Sequence, residues 1–204
     1  MEYLFFIIIL IISIIIHEVS HGAAANFLGD PTAKYAGRLT LNPIKHIDPM
    51  GSIFLPLILI LANSPILFGW AKPVPINPYN FRDQKYGQAK SALAGPAANL
   101  TIALIFGLAL RFLPGLIVST GIAPMFSYIV YINLLLAVFN LLPLPPLDGS
   151  HVLFSFLPSS FDNLKIILNQ FGTFILLFII LFFFNWMASI INLLFSLIVG
   201  SQFF

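Results

Sequence analysis

Cysteine is absent from this chain, and charged residues are scarce. They make up 8% of the 204 residues, whereas a soluble domain carries about 25%. The lack of cysteine excludes a disulfide framework, a Cys-ligated metal and a Cys nucleophile. A formal net charge of +2 without any run of basic residues argues against nucleic-acid binding. Because 59% of the residues are hydrophobic, we predict an integral membrane protein surrounded by the lipid bilayer.

The lengths of the apolar stretches predict the membrane segments, since about 20 apolar residues span a bilayer as a helix. The N-terminus lacks the basic region and the cleavage site of a signal peptide, so we expect its apolar stretch to stay as a helix. The fold class predicted is an all-α polytopic membrane protein with five or six membrane segments. The candidates are 3–28, 50–68, 88–112, 125–142, 165–185 and 186–204.

Two polar links join the first three segments. One covers 30–48, and the other, 70–78, contains Pro73, Pro75 and Pro78, which deny it a regular helix. We expect short strands in these links. The second link is either an edge strand to which an extended peptide pairs or a plain loop.

The motif H-E-x-x-H stands at residues 17–21, directly after an almost wholly apolar run. Ionisable groups in a membrane helix cost roughly 2.5–3.5 kcal/mol each, so they usually mark a functional site. On a helix, His17 and His21 project from one face and are able to bind one zinc ion, with Glu18 beside it as general base. The alternatives are a chance match and a buried histidine pair with satisfied hydrogen bonds.

A catalytic zinc site takes three protein ligands and leaves one position open. The best third ligand is Asp148, which ends an apolar segment and follows three prolines. An Asp-Gly pair is by itself more often a turn. The charges favour the ligand interpretation, because Zn²⁺ with the carboxylates of Asp148 and Glu18 is neutral and therefore less costly in a low dielectric.

Three motifs together carry a family resemblance. They are His-Glu-Val-Ser-His at 17–21, Gly-Pro-Ala-Ala-Asn at 95–99 and the stretch 140–149, which ends in Leu-Asp-Gly. The chain resembles the site-2 protease family, the M50-type intramembrane zinc metalloproteases, in its short prokaryotic form without PDZ or CBS domains. The resemblance implies one Zn²⁺ per chain bound by His17, His21 and Asp148, with Glu18 as catalytic base.

Two asparagines are further candidates for the site. Asn140 matches the family asparagine that is thought to bind substrate or the tetrahedral intermediate, a role that suits an amide donor near a metal. A hydrogen bond between helices is the alternative for Asn140, and the same two roles are open for Asn99. We divide the chain into an intramembrane protease core at 1–150 and C-terminal membrane helices at 151–204.

Segment 50–68 raises a question of topology. The two histidines and Asp148 meet at one depth only if segments 3–28 and 125–142 run parallel, which requires that 50–68 dips into the bilayer and returns. Pro56 and the break at 62–65 favour this re-entrant or hairpin element, whereas its 19 residues are also long enough to cross. With the re-entrant topology, eight of the nine basic residues share one side, leaving Arg111 opposite. The eight are Lys34, Arg38, Lys45, Lys72, Arg82, Lys85, Lys90 and Lys165.

Basic residues concentrate on the cytoplasmic side. We therefore expect a multi-pass protein of the cytoplasmic membrane with its active site toward the cytoplasm. The function predicted is hydrolysis of peptide bonds within or near transmembrane segments of membrane-tethered proteins, as in regulated intramembrane proteolysis. The alternative is a zinc-binding membrane protein without protease activity, a transporter or a membrane chaperone. A homo-oligomer and a regulatory membrane partner both stay open.

Overall fold

The computed structural model describes residues 2–62, 70–113 and 121–200, and within these ranges it contains helices, turns and loops but no strand. Its α-helices are α1 (Glu2–Phe27), α2 (Thr32–Tyr35), α3 (Leu55–Leu61), α4 (Gly87–Phe112), α5 (Ala123–Asn140), α6 (Asp148–Phe156) and α7 (Asp162–Val199). Short 3₁₀ turns lie at Pro43–His46, Pro78–Asn80 and Ser159–Phe161, and a π-helical turn at Pro49–Phe54 leads into α3.

Four helical stretches of the described chain are long and apolar enough to cross a membrane: Leu4–Phe27, Gly87–Phe112, Ala123–Asn140 and Ser159–Phe183. The first three agree with the predicted segments 3–28, 88–112 and 125–142 to within two residues at each end. Helices α1, α4 and α7 carry large apolar side chains on their exposed faces. In a bilayer this apolar surface faces lipid.

Polar contacts fix the directions of α1, α4 and α5. Along α1, Ser13, His17 and His21 contact residues of α4 with falling numbers, down from Asn99 to Ser91. Helices α1 and α4 are therefore antiparallel. Ser13 also contacts α5, while His17 contacts Asp148 beyond the C-terminal end of α5, so α1 and α5 run in the same direction. This parallel arrangement is the one that a shared depth for the histidines and Asp148 requires.

The C-terminal apolar region differs from the prediction. The segments 165–185 and 186–204 were expected to be separate, but α7 is one continuous helix of 38 residues. It contains no proline, so no residue in it removes a helical hydrogen bond. At 1.5 Å per residue α7 is about 57 Å long, well beyond the roughly 30 Å of a hydrocarbon core.

The C-terminal half of α7 closes the core of the molecule. Met187, Ile191, Phe195 and Val199 pack with buried residues of α4 and α5. A Cβ at Gly107 of α4 would lie 2.4 Å from Ile198 Cγ2, so any larger residue there would displace the Ile198 side chain. The N-terminal half of α7, in contrast, is largely exposed.

The prediction of short strands in the links is wrong for the part of the links that the structure describes. One backbone hydrogen bond does join them, from Lys72 N to His46 O at 2.9 Å, and a second runs from Trp70 N to Gly51 O, just beyond the first link, at 3.2 Å. A ladder cannot continue from there, because Pro73 and Pro75 have no N–H to donate. The N–H of Val74 is donated to the Glu18 side chain instead.

Segment 50–68 is described only up to Ala62, where it consists of the π-helical turn and α3. Most of the break at 62–65 lies outside the described residues. The two ends of this region lie side by side, since Gly51 O accepts from Trp70 N and Ser52 Oγ donates to Trp70 O at 2.8 Å.

Candidate metal centre

Three side chains from two distant parts of the chain converge at one point. His17 and His21 lie one turn apart on α1, and their Nε2 atoms are 3.0 Å from each other. Oδ2 of Asp148, at the start of α6, lies 3.1 Å from Nε2 of His17 and 3.2 Å from Nε2 of His21. Both imidazoles are buried and the carboxylate is mostly buried.

The hydrogen bonds behind the rings determine which nitrogen of each histidine carries its proton. Nδ1 of His17 contacts Asn99 Oδ1 at 2.6 Å, and Nδ1 of His21 contacts the carbonyl oxygen of Ser91 at 2.8 Å. Both oxygens are acceptors, so both Nδ1 atoms donate. The Nε2 atom of each neutral ring is left with a lone pair that faces its neighbours.

This arrangement fits a metal ion. Three acceptor atoms facing one another at 3.0–3.2 Å repel unless a cation lies among them. Tetrahedral zinc with ligands at about 2.0–2.1 Å requires ligand atoms about 3.3 Å apart, close to the observed spacing. In the described part of the chain, His17, His21 and Asp148 are the one group of His, Asp or Glu side chains close enough together to hold a metal ion.

Gly95 of α4 allows both imidazoles to lie against that helix. A Cβ at this position would be 2.4 Å from Nε2 of His21 and 2.7 Å from Cε1 of His17. Pro96 follows it inside α4. Any side chain at residue 95 would occupy the space of the ligands, which explains a glycine in the middle of a membrane helix despite its cost there.

Asp148 reaches the histidines because α5 ends in a series of tight turns. Leu142, Leu144 and Leu147 donate backbone hydrogen bonds to carbonyls two or three residues earlier. A Cβ at Gly149 would lie 2.3 Å from the carbonyl oxygen of Leu141, so the chain folds back tightly onto the end of α5. Asp148 itself begins α6, where the N–H groups of the first turn favour a negative charge.

Glu18 lies beside the histidines and is held from the opposite side. Its Oε2 accepts a hydrogen bond of 2.8 Å from the backbone N–H of Val74. Val74 belongs to the 72–80 segment, which is anchored at both ends. Nη2 of Arg38 donates to Lys72 O at 2.7 Å, and Asp30 accepts from Asn77 N at 2.7 Å.

Asp30 is fully buried and makes four hydrogen bonds. Besides Asn77 N, its carboxylate accepts from the side chain of Asn80, the hydroxyl of Thr32 and the backbone N–H of Thr32. Burial alone would raise the pKa of Asp30, but these hydrogen bonds together hold it below its usual value. The carboxylate is therefore ionised and fixes the end of the 72–80 segment over the site.

A cavity of about 400 Å³ opens at the metal-ligand group. Its wall includes His17, His21, Asp148 and Glu18. The 72–80 segment contributes Pro73, Val74, Ile76 and Pro78. Asn140, Gln88 and His151 complete the polar part of the lining. Asn140 donates one amide hydrogen to Leu136 O at 2.9 Å, so its second amide hydrogen is available to a ligand.

Comparisons with known proteins agree with this geometry. Residues 115–183 match the family model described as Peptidase family M50. A protein of Bacillus subtilis named "Putative zinc metalloprotease YwhC" is 43% identical over 160 residues, which cover 76% of this chain and 69% of that protein. The chain belongs to peptidase family M50. Because M50 peptidases depend on zinc, it is a zinc metalloprotease.

More distant relatives carry names of the same kind. A Mycolicibacterium smegmatis protein named "Putative zinc metalloprotease Rip2" is 34% identical over 142 residues, covering 68% of this chain and 52% of the relative. A Methanocaldococcus jannaschii protein, "Putative zinc metalloprotease MJ0611", is 41% identical over 92 residues, or 43% of this chain and 46% of that protein. The match thus spans about half the length of these two M50 relatives. No solved structure matches the chain at comparable significance.

The two candidate asparagines, Asn140 and Asn99, lie in different surroundings. Asn140 faces the cavity, whereas Asn99 is fully buried behind His17 and does not line it. Asn99 is thus placed to orient His17 and does not face the cavity. It joins a hydrogen-bond network that sequence reasoning missed, in which its Nδ2 donates to Asn133 Oδ1 at 2.8 Å and Nδ2 of Asn133 donates to Ser13 Oγ at 3.0 Å.

The missed members of this network had a visible signal. Ser13 and Asn133 are polar residues within the apolar segments 3–28 and 125–142, and such residues usually face the interior of a helix bundle. Their partners were not predictable, because the register between α1, α4 and α5 depends on packing between residues 34 to 120 positions apart in sequence. His151 and Gln88 were missed as cavity residues for the same reason.

Proposed function

We propose that this M50 protease hydrolyses peptide bonds within or near the transmembrane segments of membrane-tethered proteins. The observation that carries the proposal is the convergence of His17, His21 and Asp148 beside Glu18, within a bundle of helices that are apolar enough to cross a membrane. His17 stands ten residues before the end of α1, about 15 Å along the helix axis. The two histidines therefore lie inside the candidate span Leu4–Phe27.

His17, His21 and Asp148 would hold one Zn²⁺ per chain. When bound, zinc supplies Lewis-acid chemistry, which polarises the scissile carbonyl and acidifies water. The surrounding protein orients the two imidazole rings for metal binding. Asn99 and the Ser91 carbonyl hold the two rings in the tautomer whose Nε2 binds metal, as hydrogen-bonded partners of metal-binding histidines usually do.

Glu18 acts as the general base. It accepts a proton as water attacks the carbonyl carbon and passes the proton to the leaving amine when the C–N bond breaks. The N–H of Val74 fixes one carboxylate oxygen, leaving the other free to take the proton. Asn140 supports the reaction through its remaining amide hydrogen, which is available to the carbonyl oxygen as negative charge develops on it.

The substrate reaches this site only in an unwound form. A transmembrane helix satisfies its own backbone groups, so the scissile carbonyl is exposed only after local unwinding. We expect helix-breaking residues near the cut to favour cleavage. The biological role that we propose is regulated intramembrane proteolysis in the cytoplasmic membrane, with the active site toward the cytoplasm.

We also propose that the region between Gly51 and Trp70 is re-entrant and does not cross the membrane. The hydrogen bonds that join Gly51 and Ser52 to Trp70 support this topology, because both ends of the region lie together. The parallel directions of α1 and α5 support it independently. With α4 as the one crossing between α1 and α5, the basic residues of the links share one side, consistent with a cytoplasmic location.

The function is tested by cleavage of single-span substrates in proteoliposomes, followed by mass spectrometry of the products. Wild type is expected to cut within or next to the membrane segment, and Glu18→Gln to leave the substrate intact. Cuts confined to soluble regions of the substrate, far from the membrane, would refute intramembrane cleavage but would still show that the protein is a protease. Failure of the wild type to cut any membrane-tethered substrate would refute the proposal.

A further inference from the structure

His151 has no role among the metal ligands, yet it lies in the same cavity. It stands three residues after Asp148 on α6, so both side chains lie on one face of that helix. Its ring lines the cavity together with Glu18 and Asn140. It is not part of the metal-ligand group, whose members are His17, His21 and Asp148. A titratable side chain is thus placed next to the reacting groups without binding the metal.

The contact between Gln88 and His151 determines the tautomer of His151. Gln88, in the first turn of α4, places its Nε2 atom 3.0 Å from Nδ1 of His151. An amide nitrogen donates and does not accept, so Nδ1 of His151 is the acceptor in this hydrogen bond. The proton of the neutral ring then resides on Nε2. Burial lowers the pKa of His151 below its ordinary value, which keeps the ring neutral near pH 7.

We propose that His151 is a catalytic residue whose Nε2–H donates a hydrogen bond to the carbonyl oxygen of the scissile peptide, and that Gln88 is its positioning residue. This inference rests on the proposed proteolytic function and extends it. As water attacks the carbon, the π electrons of the C=O bond move to oxygen, and the proton of the water goes to Glu18. The Nε2–H of His151 stabilises the resulting oxyanion without transferring its own proton. Collapse of the oxyanion breaks the C–N bond, and Glu18 returns the proton to the amine.

A neutral donor suits this task within a membrane protein. An imidazolium would bring a net charge into a low-dielectric cavity, whereas the Nε2–H of a neutral ring requires no such desolvation. Its hydrogen bond strengthens as charge develops on the oxygen, so it acts on the transition state more than on bound substrate. His151→Leu is therefore expected to lower kcat and to change KM little.

The first test measures kcat, KM and zinc content of His151→Leu, His151→Gln and Ser155→Ala in proteoliposomes. Ser155 lies on the same helix and bonds only to the backbone of His151 in the described contacts, so it is the matched control. His151→Leu should lower kcat roughly 10²–10³-fold, the usual effect of losing one oxyanion donor, with full zinc content. His151→Gln, whose amide provides a donor at a similar position, should recover part of the loss.

The second test reads the tautomer directly. The chain has 4 histidines, so ¹⁵N-labelled imidazoles can be assigned by single substitutions. In the wild type, the ¹⁵N spectrum should show His151 protonated on Nε2. In Gln88→Met, which keeps the shape but loses the donor, the two tautomers should mix and kcat should fall.

The outcomes separate the two proposals. If the wild type cleaves, Glu18→Gln does not and His151→Leu keeps the wild-type kcat, this inference alone is overturned. A wild-type His151 protonated on Nδ1 would overturn it as well. If the wild type fails to cleave at all, the proposed function fails and this inference falls with it.

Discussion

At the scale of single residues, the site depends on polar groups that do not touch the reacting atoms. His17 is held by Asn99, and Asn99 in turn by Asn133 and by the carbonyl oxygen of Ser13. Asn99 and Asn133 are fully buried, where a missing partner is costly because water cannot replace it. The orientation of the His17 ring thus rests on a network that spans α1, α4 and α5.

Asn99→Ala should weaken zinc binding. The substitution removes the acceptor for Nδ1 of His17, so the ring loses its fixed tautomer and orientation. Loss of such a partner typically costs 10–100-fold in metal affinity. Competition with a zinc chelator of known affinity measures the effect. Thr101→Ala is the control, since Thr101 lies on the same helix and bonds only to its own backbone in the described contacts. Unchanged affinity in Asn99→Ala would contradict the positioning role.

Gly95→Ala should abolish stoichiometric zinc binding. The added Cβ would lie 2.4 Å from Nε2 of His21, in contact with the atom that is expected to bind the metal. Metal analysis of the purified variant provides the measurement. Ala97→Leu adds a larger group to an exposed position of α4 and should bind zinc normally. A Gly95→Ala protein with a full complement of zinc would show that the ligands are not seated against α4.

How much of the site could be foreseen differs between residues. The motif at 17–21 predicts both histidines and their shared face, because helical spacing is local. The partnership with Asp148 needed the family resemblance, since an Asp-Gly pair is ambiguous. Asn133 and Ser13 were identifiable only as polar residues in apolar segments. Their contacts depend on helix register, which no local pattern contains.

At the scale of elements, the 72–80 segment connects the two polar links to Glu18, the proposed catalytic base. Arg38 holds its start, Val74 donates to Glu18 and Asp30 holds its end. The expected strand is absent from it because prolines interrupt the donors and Glu18 takes the N–H between them. The sequence showed the prolines, but it did not show that the remaining N–H would have a side-chain acceptor 56 residues away.

Asp30→Asn should destabilise the protein above about pH 4 and should remove a pH dependence. The folded-state pKa of Asp30 lies below its usual value, which is about 3.9 in an unfolded chain. Its ionised form therefore stabilises the fold above that pH, and the contribution is lost as pH falls through the lower folded pKa.

Thermal unfolding in detergent at pH 6 and pH 3 tests this pH dependence. Asn cannot accept from all four donors, and hydrogen bonds to a charged group contribute roughly 1.5–3 kcal/mol. Wild type should exceed Asp30→Asn in Tm at pH 6, and the difference should shrink at pH 3. An equal Tm at pH 6 would show that the anchor contributes no net stability. Asp48→Asn, which changes a carboxylate that caps a turn at the other end of the same link, serves as the comparison.

Helix α7 shows that the length of an apolar stretch does not by itself predict how many helices it forms. Two predicted segments became one helix because length alone does not mark where a continuous apolar run is divided. Only its C-terminal half packs into the core. The boundary between the proposed core at 1–150 and the helices at 151–204 falls within α6, two residues after Asp148.

At the scale of the whole molecule, the arrangement depends on α1 and α5 pointing the same way. The sequence predicted this from the need to bring Asp148 to the histidines, and the contacts of Ser13 and His17 have the required directions. The re-entrant region between Gly51 and Trp70 stays a prediction about the membrane. It can be tested with a membrane-impermeant maleimide, because the chain has no cysteine of its own.

Single cysteines at Leu41, Tyr79 and Leu113 report the sides of the membrane, as all three residues are exposed. Leu113→Cys should react in intact cells, whereas Leu41→Cys and Tyr79→Cys should react only after permeabilisation. The reason is that Leu41 and Tyr79 flank the re-entrant region on the proposed cytoplasmic side. Labelling of Leu41 and Tyr79 from opposite sides would show that this region crosses. Labelling of both in intact cells would keep the hairpin but invert the orientation.

The central claim is that His17, His21 and Asp148 bind one zinc ion and that Glu18 uses this site to hydrolyse a peptide bond. It is tested most directly by measuring zinc content and cleavage on the same purified samples of wild type and Glu18→Gln. We expect about one zinc per chain in both proteins and cleavage by the wild type alone. Folded wild type without zinc, or a Glu18→Gln protein that cleaves as fast as wild type, would contradict the account.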